Sequence, residues 1–365
     1  MFRLVLLLGL LGSTASFAWG FDGHRRLASL MQDGLPQNHC LRAWFAARQT
    51  TALQDQACDP DRWRSTDATE APRHFLEVDW VSPISNYPRE YAAVVALLGD
   101  RNASNNGIVP WHVEVKYAAL VAAFRAKDVT AILQTAFVMS HYVFDSFSLL
   151  HDTKNFDPNN GLHARWESDM LTDMLNVLAN LNGITTLAAT YYGTAGRADP
   201  RNNIFDVVLV GNPLVAQLVQ ADTAAAGSIP ALYMATKDLT ARRWGDGVTV
   251  MSSILWTAWA EAGSPELTGF SSGCSREVPV AEIVIRGYPP PGGFTHPGVD
   301  AGTPDAGVLT DAGVEVDAGV DAGNGTGAGG GGGSDMTQPT GCGCITVDPL
   351  LVVAGALGFL LRRRR

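Results

Sequence analysis

Five residues between positions 141 and 167 carry side chains of the kind that bind divalent metals. His141 and Asp145 are four apart, His163 and Glu167 are four apart, and His151 lies between the pairs. On an α-helix a spacing of four places both side chains on one face, so each pair presents an imidazole and a carboxylate to a common point. Zinc accepts both ligand types, and an imidazole from the connecting turn can complete either site. One such histidine alone is more often an ordinary core or surface residue; the doubled pair is what points to a metal. The first pair also interrupts an apolar run that includes Ala136, Phe137, Val138, Val143 and Phe144. A buried ionised carboxylate needs a metal or a hydrogen-bonding partner, and a plain His–Asp pair also meets that need.

The elements that must position these residues read as helices. Residues 111–126 place apolar side chains at three- and four-residue spacing, as an amphipathic helix requires. Asp128-Val129-Thr130 opens a second helix, expected to run to about Leu150. A third is expected from near Leu162 until Asn182-Gly183 stops it, and a fourth over roughly 247–262. Strand candidates are confined to His74–Trp80 and Ala281–Arg286. The fold class is therefore all-α, with long loops. Two further segments stand out, WGFDGH at 19–24 and DPDRWRSTDATEAPRHFLEVD at 59–79, the second offering Asp61 and His74.

Both ends of the chain have a different character. Residues 1–18 combine Arg3, the apolar run Leu4–Leu11 and the small-x-small site Ser16-Phe17-Ala18, the signature of a secretory signal. The run falls far short of the roughly 20 residues a membrane span needs. Cleavage after Ala18 makes Trp19 the first residue, with an α-amine of pKa about 7.7–8.0 from which zinc can displace the proton. Residues 287–340 hold repeated Asp-Ala-Gly units and a glycine run, a composition too poor in apolar groups to fold. Residues 341–365 hold Gly-Cys-Gly-Cys, an apolar stretch from Ile345 to Leu361, and Arg362–Arg365. This segment resembles the myxobacterial-type C-terminal sorting tags (MYXO-CTERM). The resemblance implies an exported protein held at the cell surface or outer envelope, or secreted after processing near Cys342 or Cys344. The expected organisation is a signal peptide (1–18), a catalytic domain (19–286), a disordered linker (287–340) and a short hydrophobic helix that meets the membrane (341–365).

With 365 residues, 46% of them hydrophobic, the chain can bury one sizeable core. Its net charge of −10 repels phosphates, which counts only mildly against nucleic acid, because bound zinc reverses the charge locally. None of the five cysteines forms a C-x-x-C pair. Cys40 and Cys58 are placed to close a short loop and leave Cys274 unpaired, but other pairings remain open.

Taken in order, WGFDGH, DPDRWR, EAPRHF, GIVPWH, SHYVFD, LLH and GLHARWE resemble the zinc-dependent phospholipase C family and its S1/P1 nuclease relatives. The resemblance implies an all-α, phospholipase C/P1 nuclease-like domain with three zinc ions in a cleft. By it, Asp61, His74, His141 and Asp145 hold one zinc, and His151, His163 and Glu167 hold the second. The third is held by Trp19, through its amine and carbonyl, with His24 and the bridging Asp145. Asp59, two residues before Asp61, competes with it for the ligand position. The implied reaction is phosphodiester hydrolysis, in which the metals turn water toward hydroxide near neutral pH and Asp61 doubles as general base. The 12-residue spacing of His151 and His163, and Glu167 as carboxylate, resemble the phospholipase C branch. The WGFDGH start resembles the nuclease branch. The expected substrate is a phospholipid, with a single-stranded nucleic acid as the alternative, and the expected state is a monomer. A nuclease needs aromatic platforms, for which Trp63, Trp111 and Trp166 are candidates unless they pack internally. A non-catalytic surface protein stabilised by zinc is the alternative from another class.

Overall fold

The computed structural model describes residues 19–171, 177–285 and 287, all within the unit spanning residues 1–301. The expected leader (1–18) and the expected linker and sorting tag beyond 287 lie outside the described residues.

The α-helices are α1 (Gly20–Leu30), α2 (Cys40–Ala46), α3 (Thr51–Gln56), α4 (Asp59–Trp63), α5 (Tyr91–Leu98), α6 (Asp100–Asn105) and α7 (Val109–Ala126). They continue as α8 (Val129–Asp145), α9 (Leu162–Ala164), α10 (Val177–Ala189), α11 (Pro200–Gly211), α12 (Val215–Ala225) and α13 (Ile229–Glu261). No strand forms among the described residues, only isolated bridges His39–Ser275 and Arg197–Glu282. The His74–Trp80 strand candidate is instead two 3-10 turns, Ala71–His74 and Val78–Trp80. Between them the Leu76 and Val78 amides donate to the His151 and Asp152 carbonyls. A strand needs neighbours to complete a ladder, and here one loop supplies two bonds only.

Local chemistry sets several boundaries. Asp128 caps α8 by accepting the Ala131 N–H at 3.0 Å, as its position predicts. Asp199 and Ser228 cap α11 and α13 in the same way, each followed by a proline in the first turn. The second helix ends at Asp145, and a 3-10 turn, Leu149–His151, follows after a short break. The third begins at Leu162 as expected, yet passes into a π-helical turn, Arg165–Asp169. Asn182-Gly183 is not a stop: it lies inside α10, which runs to Ala189, with the Tyr233 hydroxyl closing against Gly183. The fourth is much longer than expected, Ile229–Glu261, and packs on α10 and α12.

The core lies where α7, α8, α11 and α13 meet. Every residue of α8 from Met139 to Asp145 is buried, so this helix is enclosed and has no solvent face at its C-terminal end. The stretch Pro200–Ala225 has the length and hydropathy to cross a membrane, but its Ile204, Phe205, Val207 and Val208 belong to this core. The disulfide joins Cys40 to Cys274, and Cys58 is a buried free thiol. The Cys40–Cys58 pairing fails because α2 delivers Cys40 to the segment after α13, where the Cys40 amide donates to the Ser275 carbonyl.

Candidate metal centre

The C-terminal turns of α8 bring His141 and Asp145 into the core side by side, both fully buried. Asp145 is the hub. Its Oδ2 lies 2.9 Å from His74 Nδ1 and 3.1 Å from His141 Nε2. Its Oδ1 lies 3.2 Å from His24 Nε2. Asp61 Oδ1 stands 3.8 Å from both His74 Nδ1 and His141 Nε2. On the far side, His151 Nδ1 is 4.0 Å from Asp145 Oδ2 and His151 Nε2 is 3.9 Å from Glu167 Oε2. His163 Nε2 completes that end, 2.6 Å from Glu167 Oε2. The π-helical turn carries Glu167, and such turns are uncommon outside functional sites.

Three groups of these side chains each gather ligand atoms within 4.8 Å of one another: His24, Asp61 and His141; His74, His141 and Asp145; His151, His163 and Glu167. All are buried, and His24 Nδ1, His163 Nδ1 and both oxygens of Asp61 have no hydrogen-bond partner, while His24 Nε2, His163 Nε2, His74 Nε2, Asp145 Oδ1 and Glu167 Oε2 meet one another or Glu70 without a well-aligned hydrogen bond. Leaving so many buried polar atoms unsatisfied is costly. Metal ions are the partners this donor set fits, since imidazole and carboxylate together suit zinc.

Several ring nitrogens are held from behind. His141 Nδ1 faces the Ala57 carbonyl at 2.7 Å, and His151 Nδ1 faces the His74 carbonyl at 2.8 Å. The carboxylate of buried Glu70 lies 3.5 Å from His74 Nε2 and also accepts from Tyr142 Oη and Arg73. Ser148 Oγ donates to Glu167 Oε1. Such outer contacts choose the tautomer and aim each ligand. Burial pushes His74 toward neutrality, but the carboxylates of Asp145, Glu70 and Asp61 prevail and lift it to about 9. Burial likewise works against the charge on Asp145, yet the three surrounding imidazoles hold its carboxyl well below the usual range. His141 and His151 are pushed down by burial, whereas His163 is raised by Glu167 against its burial.

The Asp59–Asp61 ambiguity resolves in favour of Asp61, which is 2% exposed within the cluster, while Asp59 pairs with Arg62 at 2.7 Å. Trp19 is fully buried: its indole donates to the Phe144 carbonyl at 2.9 Å and packs edge-on against Trp244. Gly23 permits this, because a Cβ there would lie 2.9 Å from that of Trp19. The Trp19 carbonyl accepts the Gly23 N–H at 3.1 Å; the expectation of a free amine depends on residues 1–18. Of the candidate aromatic platforms, Trp166 is buried against Trp19, and Trp111 donates to the Arg89 carbonyl and packs on Phe205. Trp63 is partly exposed, but two residues from Asp61 on one short helix it does not share that residue's face.

Sequence reasoning passed over four contributors. Arg64 places Nη1 3.9 Å from Asp61 Oδ1, and its spacing of three from Asp61 was the available signal. Glu70 sits in the EAPRHF segment, four before His74. Ser148 and Phe156 carried no local signal; the Phe156 ring, 39% exposed, stands edge-on to His163 with centroids 6.2 Å apart. Compared with protein-family models and with curated proteins, the chain matches none of either.

Proposed function

We propose that this chain is a metal-dependent phosphodiester hydrolase. More particularly, it acts as a zinc-dependent phospholipase C-like enzyme with a helical domain of the phospholipase C/P1 nuclease kind. The observation that carries this reading is the set of buried imidazoles and carboxylates gathered around Asp145 and Glu167, with the Arg64 guanidinium 3.9 Å from Asp61.

Three zinc ions fit the ligand set: one with Asp61, His74, His141 and Asp145, one with His151, His163 and Glu167, and one with His24, Asp145 and the backbone of Trp19. Bound zinc supplies a water acidified to near neutral pKa and positive charge to offset that of the phosphate. The protein's own groups do the rest. Asp61, with both oxygens free of hydrogen bonds, is placed to take a proton from a water bound beside the cluster. Arg64 offers a charge-assisted donor to a phosphate oxygen. Glu70 and the Ala57 and His74 carbonyls hold the imidazoles in register, which keeps the site organised without reorganisation during the reaction. The products are a phosphomonoester and an alcohol.

Export and surface attachment through the C-terminal tail would place this activity outside the cell, where phospholipid is the favoured substrate. A second reading, a single-strand nuclease, is favoured by the exposed Phe156 ring beside His163, since a base can stack there. The test is phosphocholine release from phosphatidylcholine vesicles by the zinc-loaded chain, with EDTA as control. Release abolished by EDTA supports the lipase. Cleavage of single-stranded DNA or RNA instead would move the assignment to the nuclease. Full zinc occupancy with no turnover of any diester would leave a zinc-stabilised, non-catalytic protein.

A further inference from the structure

Arg243, on α13, is 1% exposed, and a buried guanidinium is destabilising unless its donors are met. Its Nε donates to the Phe147 carbonyl at 2.8 Å, and its Nη2 donates to the Ser146 carbonyl at 3.0 Å. Nη1 reaches the Val207 carbonyl at 3.4 Å, and the cation lies over the Phe147 ring, 4.9 Å from its centroid. Nη2 also stands 3.6 Å from Oδ2 of Asp152, which is fully buried. These partners have telling positions. Ser146 and Phe147 directly follow Asp145, and Asp152 directly follows His151. One guanidinium therefore holds the start of the turn by two hydrogen bonds and packs against its far end, spanning the link from the hub carboxylate to the first ligand of the neighbouring group.

Surrounding contacts tie the same turn down. Asn212 Nδ2 donates to the Asp152 carbonyl at 2.9 Å, and Ser148, in the middle of the turn, reaches Glu167. The close approach depends on Gly211 at the end of α11: a Cβ there would lie 2.1 Å from Asp152 Oδ2 and 2.8 Å from Arg243 Nη2. A side chain at 211 and the Arg243–Asp152 pair cannot occupy the same space.

We propose that Arg243 and Asp152 are positioning residues, a packed clamp that sets the separation of Asp145 and His151 and so couples the two metal groups those residues serve. The clamp rests on the metal reading of the cluster but not on the identity of the substrate. Neither residue needs to touch a metal or substrate to act. The clamp acts by fixing the backbone from which two ligands project, as outer residues of metal sites do.

The test is a zinc titration of the full chain against a competing chromophoric chelator, for wild type, Asp152→Asn, Arg243→Lys and Gly211→Ala. Circular dichroism and melting of the metal-free forms run beside it. Asp152→Asn keeps the shape of the side chain and should weaken one zinc by roughly 10–100-fold, leaving the others within about twofold. Arg243→Lys keeps the charge but loses the fork that spans both ends, so at least two zinc ions should weaken. Gly211→Ala, which removes no charge, should reproduce the Asp152→Asn loss. Folded variants that bind zinc as the wild type does, even with lower melting temperatures, would overturn the clamp and leave a structural contact. If Arg243→Lys fails to fold, Asp152→Asn decides alone. A wild-type chain that binds no zinc would overturn the metal reading, and the clamp with it.

Discussion

His74 and Asp145, 71 residues apart in the chain, meet with imidazole Nδ1 2.9 Å from carboxylate Oδ2. His74 ends a 3-10 turn and Asp145 ends a buried helix, and neither segment alone makes a site. On its other nitrogen His74 faces Glu70 at 3.5 Å. The ring is thus held between two carboxylates, one at the hub of the cluster and one behind it. In ligating histidines the nitrogen turned away from the metal is commonly held by an outer carboxylate, the place that Glu70 takes here.

The hub position of Asp145 gives the first prediction. Asp145→Asn removes the charge that three imidazoles share, so zinc content should fall from the proposed three ions to at most one. Hydrolysis should drop by at least about a hundredfold, beyond the usual effect of an outer residue. Zinc content by inductively coupled plasma mass spectrometry, with diester turnover on the same sample, checks both. Retention of three ions would refute the hub role.

Arg64 is expected to serve the phosphate and not the metals. Arg64→Ala should lower kcat/KM by about a hundredfold, the scale of losing one well-placed donor to a developing charge. Its zinc content should stay at the wild-type value. A parallel loss of zinc would make Arg64 part of the support of Asp61 instead.

Glu77 supplies a pH prediction outside the cluster. Burial is the main cause that lifts its carboxyl to about 7, against the hydrogen bond from Trp80, with nearby Asp79 adding to the rise. A carboxyl raised in the folded state binds a proton that the unfolded chain has released. Stability should therefore fall as pH rises from about 4.5 to 7, with the full penalty present above 7. Allowing for its partial exposure, the effect is on the order of 1–2 kcal/mol. Urea unfolding of the wild type and Glu77→Gln across this range checks it: the difference between the two should shrink toward low pH.

The Cys40–Cys274 bridge spans 234 residues of sequence, so it constrains the unfolded chain strongly. Replacing both cysteines by serine should destabilise the fold by about 2–5 kcal/mol, without altering the zinc content of the folded fraction. Cys58 should stay unreactive toward thiol reagents in the native state, because burial pushes its thiol up to about 12. Denaturant melts and timed thiol labelling address the two claims.

The helices were legible because their signals are local. Asp128 as a cap, the apolar spacing of 111–126 and the four-residue separation of His141 from Asp145 are read within one or two turns. The errors arose where distant parts decide. Gly183 looked like a stop, but packing against α13 outweighs the roughly 1 kcal/mol that a glycine costs a helix. His74–Trp80 looked like a strand, yet no neighbouring strand exists among the described residues to pair with it.

The sequence by itself therefore determined the helical class and the pairs His141–Asp145 and His163–Glu167, with His151 between them, since a spacing of four puts each pair on one side of its helix. Tertiary structure decided which aspartate of DPDRW joins them, which cysteine meets Cys40, and which groups stand behind the ligands. Arg243 meets Ser146, Phe147 and Asp152, and Glu70 meets Tyr142, through contacts a few ångströms long that cross dozens of residues of chain. Contacts of that kind exist only once the core has closed around α8 and brought Ala57, His74, Glu167 and Arg243 to the same turn.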